Sequence, residues 1–239
     1  MKLKIVSLFI LAFACSDHSE NASVKIVNGK NVAEDSLVMK STVGIYRENH
    51  DKDRPTCSGT LIGPRHVVTA AHCLDKRPLQ IGFGPNASEK FDVVSFMKHP
   101  KENYLDLGII VFEGNINSEK HQPVKIATPI KKQEVIVAGY GVTSKKVRDY
   151  GILRVTQTNI AGFIGNSKQF YTSHDGRGPC HGDSGGPVFI ADSEELLLLG
   201  ATSGGLDCLL GGAIYMDLSK FKGWMESAFE ELDDPLKLD

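Results

Sequence analysis

Gly182-Asp183-Ser184-Gly185-Gly186-Pro187 is the stretch on which the reading of this chain turns. Its glycines admit backbone conformations closed to other residues, so the segment reads as a turn that bares a serine hydroxyl and aims backbone N–H groups into one pocket. At ordinary residue frequencies these six residues arise by chance in a chain of 239 with odds on the order of 10⁻⁵. A glycine-rich hairpin would explain the segment alone, but not two stretches upstream of it. Val68-Thr69-Ala70-Ala71-His72-Cys73 is an apolar run ending in a His-Cys pair. Asn103-Tyr104-Leu105-Asp106-Leu107-Gly108-Ile109-Ile110 sets an acid ahead of another apolar run. A lone histidine is ordinarily structural, and an acid at a strand edge is ordinarily solvated. The chain order His, Asp, Ser removes most of that doubt, because it is one of the orders in which a nucleophilic triad is strung along a chain.

The chemistry calls for these residue types. A serine hydroxyl is a poor nucleophile until a base with a pKa near neutrality takes its proton. A carboxylate behind the histidine selects its tautomer and stabilises the imidazolium.

Composition narrows the alternatives. Lys and Arg number 27 against 29 Asp and Glu, a formal charge of −2, and the pI near 6.4 leaves no electrostatic footprint for nucleic acid. With 41% hydrophobic residues and 24 glycines, neither disorder nor a collagen-like repeat fits. No uninterrupted apolar run approaches the ~20 residues of a membrane-spanning helix. Short apolar runs separated by Gly, Pro and Asn recur along the chain, among them 43–46, 66–70, 91–98, 107–112, 134–139, 152–156, 187–190, 196–203 and 212–216. Such runs predict an all-β sandwich or barrel. One helix closes the chain: Phe221, Trp224, Met225, Ala228, Phe229 and Leu232 form an apolar stripe of period 3.6. The charged tail from Asp233 is expected to fray. His99, His121 and His174 read as surface loop residues, and no metal or other cofactor is expected.

The N-terminus reads as an address. Lys2 and Lys4, the apolar stretch 5–13 and Ala12-Phe13-Ala14 have the form of a signal peptide over 1–14. The next residue, Cys15, is the odd one of five cysteines. Leu11-Ala12-Phe13-Ala14-Cys15 resembles a bacterial lipoprotein box, although Ala12 stands where that motif favours Leu. Lipidation of Cys15 is weighed against plain secretion with a free thiol there, and is preferred because it removes the odd thiol. Asn21 and Asn86 begin N-x-S sequons, which carry little weight in a bacterial protein.

From residue 26 to about 229 the chain resembles the chymotrypsin/trypsin-like serine proteases. The likeness rests on Ile26-Val27-Asn28-Gly29, the segments around His72 and Asp106, Ala138-Gly139-Tyr140-Gly141, the Ser184 turn, and Thr202-Ser203-Gly204-Gly205. It implies an all-β fold of two packed six-stranded antiparallel β-barrels, about 26–125 and 126–217, followed by a C-terminal α-helix at about 218–232. His72 is then the general base, Asp106 its orienting acid and Ser184 the nucleophile, with the N–H groups of Gly182 and Ser184 as the oxyanion hole. Each such donor is worth roughly 3–4 kcal/mol in enzymes of this kind. The likeness also pairs Cys57 with Cys73 and Cys180 with Cys208. Absence of the further bridges of animal members, with the start at Cys15, suggests a bacterial secreted member. Only 34 positions separate His72 from Asp106, and the acidic calcium-binding loop of the digestive enzymes has no counterpart.

Lys25 ahead of Ile26 resembles a zymogen cleavage site, so residues 15–25 are an activation peptide and 26–239 the protease domain. The freed Ile26 amine is expected to pair with Asp183. At the floor of the specificity pocket, where trypsin-like members carry an acid, this chain has Gly178 followed by Pro179. Ser203, Gly204, Gly205 and Ala213 complete the pocket by the same likeness. Uncharged apolar residues are therefore expected before the scissile bond, with Asp207, Arg177 and His181 as the residues that could alter this. Such a pocket would not take Lys25, so a separate activating protease is expected. The partners are protein or peptide substrates for a secreted monomer, membrane-associated only through lipid on Cys15. A catalytically idle binding or adhesion homologue is the alternative, and the presence of His72, Asp106 and Ser184 together argues against it.

Overall fold

The computed structural model describes residues 30–144, 146–192, 195–205, 208 and 211–238. The signal peptide, Cys15, Lys25, Ile26 and Asp207 lie outside these residues. Over the described chain the elements are β1 (Lys30–Asn31), α1 (Leu37–Ser41), β2 (Thr42–Arg47), β3 (Cys57–Gly63), β4 (His66–Thr69), β5 (Pro78–Phe83), β6 (Glu89–Lys98) and β7 (Gly108–Phe112). There follow β8 (Lys125–Ile126), β9 (Glu134–Gly139), β10 (Arg154–Phe163), β11 (Gln169–Thr172), β12 (Pro187–Asp192), β13 (Glu195–Gly205), β14 (Ala213–Asp217) and α2 (Lys222–Glu231). Single 3₁₀ turns cover Ala71–Leu74 and Leu218–Lys220. Among the described residues no helix is long and apolar enough to cross a membrane.

The strands close two antiparallel barrels. The first runs β2-β3-β4-β7-β6-β5, and the second runs β10-β11-β14-β13-β12-β9 and closes through the β9–β10 ladder. β1 is added to the outside of β10, and β8 lies parallel to β13. This is the pair of six-stranded barrels that the family likeness implied.

Burial explains why the apolar runs read as strands. All five residues of β7 are buried, so it has no solvated face to give an alternating pattern. Ile110 and Phe112 join Val43, Ile45 and Phe83 in the interior of the first barrel. Ile109 and Val111, on the opposite face, share a cluster with Phe221, Met225 and Phe229 of the closing helix. The helix stripe is thus core packing, and each large apolar side chain so buried contributes roughly 1.5–3 kcal/mol. In the second barrel Val135, Val137, Val188 and Leu199 surround the stacked rings of Phe170 and Tyr215, 5.2 Å apart.

Two expectations need correction. The tail does not fray. Asp234 Oδ2 lies 2.6 Å from Arg65 Nε and Oδ1 lies 3.3 Å from His66 Nε2, on the turn joining β3 to β4. Leu236 and Leu238 pack on the apolar cluster under the helix, and the Leu238 N–H donates to Glu226 at 2.8 Å. The tail is charged, but its charges and its spaced leucines have partners on the first barrel. Nor are two of the three histidines at the surface. His99 packs on Trp224 at 4.8 Å, and His121 lies 4.2 Å from Phe83 with its Nδ1 accepting the Asn117 N–H. Their imidazoles serve as aromatic filling; burial pushes both pKa values down, and nearby Lys168 and Lys101 add to this for His99 and Lys120 for His121. His174 is exposed, as expected.

Candidate active site

Each barrel delivers part of one cluster to the seam between them. His72 stands on the 3₁₀ turn after β4, Asp106 just before β7, Ser184 on the turn entering β12, and Ser203 near the end of β13. His72 Nδ1 is 2.8 Å from Asp106 Oδ2, and the His72 N–H donates to Oδ1 at 3.0 Å. The Ser203 hydroxyl donates to Oδ2 at 2.8 Å. Burial alone would push the Asp106 carboxyl up. Hydrogen bonds from His72 and Ser203, with the charge of His72, outweigh it and hold the group below its ordinary range. An ionised Asp106 accepts only, so His72 must carry its proton on Nδ1 and present Nε2 as the base. The His72 side chain is 41% exposed and open to a reactant.

Ser184 is held by its backbone and left free at its hydroxyl. Its carbonyl accepts the Ser58 N–H at 2.8 Å, while among the described residues its hydroxyl has no hydrogen-bond partner. A loose hydroxyl without substrate is compatible with a base that engages it only in the reacting complex. Neither the Gly182 N–H nor the Ser184 N–H has a partner among the described residues, so both remain free to donate. Gly182 has φ of +96°, and a side chain there would run into Gly141 and the ring of Tyr150. The turn therefore demands glycine.

Ser58 is the residue that the sequence reading missed. Its hydroxyl donates to the Gly182 carbonyl at 2.9 Å and accepts the Tyr140 N–H at 3.0 Å, and its carbonyl accepts the Thr69 hydroxyl at 2.8 Å. A first-barrel residue thus braces the second-barrel turn. Its only sequence signal is its place beside Cys57. Ser203 was assigned to the pocket wall, and the structure adds its bond to Asp106.

Asp183 is completely buried, and its carboxylate accepts the N–H groups of Gly141 and Cys180, both at 2.8 Å. Burial outweighs these bonds and the charge of Arg154, pushing the group up to about 6. Arg154 is itself spent on the Gly141 and Asp149 carbonyls and the Asp149 carboxylate. Among the described residues no cation pairs directly with Asp183.

The residues expected to form the specificity pocket lie near one another, with Gly178 and Gly205 both beside Gly212. Cys57 is bonded to Cys73 and Cys180 to Cys208. A Cβ on Gly178 would come within 2.9 Å of the Gly212 amide nitrogen, so this position has no room for a side chain. Pro179 and Ala213 are buried, and Gly204 and Gly205 form the free end of β13, paired with Ile214 and Ala213. Arg177 is engaged by Asp175 at 2.9 Å, and His181 is exposed. Cys57, His72 and Cys73 cluster tightly enough to suggest a metal site, but the two sulfurs are joined in the disulfide and supply no thiolate.

Comparison with known proteins gives the family and the fold. The family model described as Trypsin matches residues 26–225. A venom serine protease of Polistes dominula is 25% identical over 86% of this chain and 87% of its own length. Kallikrein-8 of Mus musculus is 26% identical over 76% of this chain and 80% of its own. The clotting factor G beta subunit of Tachypleus tridentatus is 24% identical over 77% and 74%. Among solved structures, mouse neuropsin superposes with a TM-score of 0.71 at 23% identity, covering 84% of this chain and 98% of that one.

Proposed function

This chain belongs to the trypsin family of serine proteases, a family of endopeptidases, and from that premise we propose that Ser184, His72 and Asp106 carry out its peptide hydrolysis. His72 Nε2 takes the Ser184 proton as the hydroxyl attacks the scissile carbonyl, and the Gly182 and Ser184 N–H groups receive the oxyanion. His72 then protonates the leaving amine, and water releases the acyl group by the same route in reverse. The observation that carries the reading is the Asp106 carboxylate held by three donors behind an open imidazole.

The chain is a secreted precursor cut after Lys25 by another protease. Asp183 supports this: a buried carboxylate held, among the described residues, only by neutral N–H groups suits an incoming α-amine, here that of Ile26. The floor at Gly178 supports preference for uncharged apolar residues before the scissile bond. The lipid on Cys15 and the bacterial source rest on the N-terminal sequence and the cysteine count, and the three relatives named above are animal proteins.

A fluorophosphonate probe tests the core of the reading. It is expected to label Ser184 in protein beginning at Ile26 and to leave the precursor and Ser184→Ala unlabelled. Absence of label from protein confirmed to begin at Ile26 would overturn it.

A further inference from the structure

A second recess lies beside the catalytic turn. It encloses about 360 Å³ and is lined chiefly by His50, Arg54, Pro55, Thr56, Arg148 and Tyr150. Two contacts fix its place. Tyr150 borders Gly182, whose Cβ would come within 2.9 Å of the ring. Thr56 precedes Cys57, which is bonded to Cys73 beside His72; its hydroxyl accepts Arg47 Nε at 2.7 Å, and Arg47 also reaches the His72 carbonyl at 3.4 Å.

The recess also lies on a definite side of the nucleophile. The Ser184 turn is held between Ser58, which donates to the Ser184 carbonyl, and Thr202, whose carbonyl accepts the Gly185 N–H at 2.7 Å. The pocket wall Ser203–Gly205 continues from Thr202. Pro55 and Thr56 lead into Ser58 on the opposite side. A peptide whose side chain fills the pocket must therefore send its leaving half past Cys57 toward the recess, within one or two residues at ~3.3 Å each.

Its charge is uneven. Arg148 is exposed and, among the described residues, faces no acid, while its carbonyl accepts Arg54 Nη1 at 3.3 Å across the groove. Among the described residues Asp51 is the one carboxylate in the lining, 3.8 Å from Arg54 with both side chains more than half exposed, a pair of little strength. The neighbouring acid Asp149 is already taken by Arg154 and Thr143. Two guanidinium groups and an imidazole thus share the lining with one loosely held carboxylate.

Resting on the proposed hydrolytic reading, we infer that this recess selects an acidic side chain one or two residues after the scissile bond. Guanidinium groups bind carboxylates through paired hydrogen bonds, which supplies both the attraction and the orientation. Partial exposure limits the effect to roughly five- to tenfold in kcat/KM.

The test uses processed enzyme and quenched peptides that share one acyl half, with Phe before the bond, and carry Glu, Gln or Lys at the first or second position after it. Wild type is expected to cleave the Glu peptide five- to tenfold faster than the Lys peptide, with the ratio shrinking as salt is added. Arg148→Gln is expected to flatten the ratio, and Arg148→Glu to invert it. Because each ratio is internal, a partly misfolded variant scales both rates and cannot mimic these changes. A Phe ester lacking any leaving peptide, assayed on wild type, separates the two levels of the argument. Ester turnover with equal rates for Glu and Lys, or a preference that survives Arg148→Glu, overturns the recess alone. No ester turnover and no fluorophosphonate label overturns the hydrolytic reading and the recess with it.

Discussion

Asp106 and Asp183 bring the same carboxylate into the same seam between barrels and end with opposite acidities. Asp106 is held by the His72 ring, the His72 N–H and Ser203, which overcome its burial and keep it ionised. Asp183 is sealed more completely, with two N–H donors and a distant shared arginine among the described residues, and rises to about 6. Hydrogen-bond donors must outnumber the loss of water before a buried acid stays charged. Asp106 therefore reads as a finished site and Asp183 as one that awaits a cation.

The largest expected effect comes from breaking the finished half. Asp106→Asn preserves shape but frees the imidazole to take the wrong tautomer, and kcat is expected to fall about 10⁴-fold. Turnover counted per labelled Ser184 checks this, and a loss under tenfold would end the claim that Asp106 orients the base.

The unfinished half is expected to respond differently before and after processing. In the processed enzyme, Asp183→Asn removes the proposed partner of the Ile26 amine and should cost on the order of 10²-fold in kcat/KM. In the precursor the same change removes the titration, at the cost of one acceptor, because an Asn amide can accept from only one of the Gly141 and Cys180 N–H groups. A folded-state pKa of about 6 against an unfolded 3.8 means the folded chain binds the extra proton between those values, so stability falls as pH rises through that window. The loss above pH 6 is about 3 kcal/mol, from ~1.4 kcal/mol per unit. Urea melts of precursor at pH 4 and pH 8 should show this fall in wild type and its absence in Asp183→Asn. Parallel curves would contradict an uncompensated Asp183.

Asp234 sharpens the comparison from the surface. Its carboxylate is partly exposed between Arg65 and His66. Asp234→Ala is expected to cost about 1 kcal/mol, lowering Tm by ~2–4 °C with kcat unchanged. Calorimetry beside an activity assay decides it, and an unchanged Tm would mean the tail is held by Leu236 and Leu238 alone.

Legibility in the sequence followed the range of the interactions. His72, Asp106 and Ser184 were readable because each lies in a short motif whose neighbours prescribe the local turn. The closing helix was readable because its stripe repeats at 3.6 residues. β3, β5 and β11 were not among the apolar runs noted. Cys57-Ser58-Gly59-Thr60 carries little apolar pattern, and Gln169–Thr172 is too short to show a period; their partners in the ladders make them strands. His99, His121 and the tail were misread because a polar residue in a polar context gives no sign of a distant aromatic or arginine that will enclose it.

The sequence by itself determined an all-β class with a closing helix through its periodicity, and the family and the residue types at the centre of the site through short motifs that prescribe local turns; the pair of barrels followed from the family likeness. Only the tertiary structure decided that Ser58 of one barrel braces the Gly182 turn of the other, and that Ser203 completes the hold on Asp106. It alone left Asp183 buried without a paired cation among the described residues, and it alone set Arg148 beside Arg54. The side-chain contacts among these join residues 94 to 124 positions apart, from Arg54 with Arg148 to Ser58 with Gly182. A linear pattern carries no information about a pairing that exists only once the barrels have closed and packed.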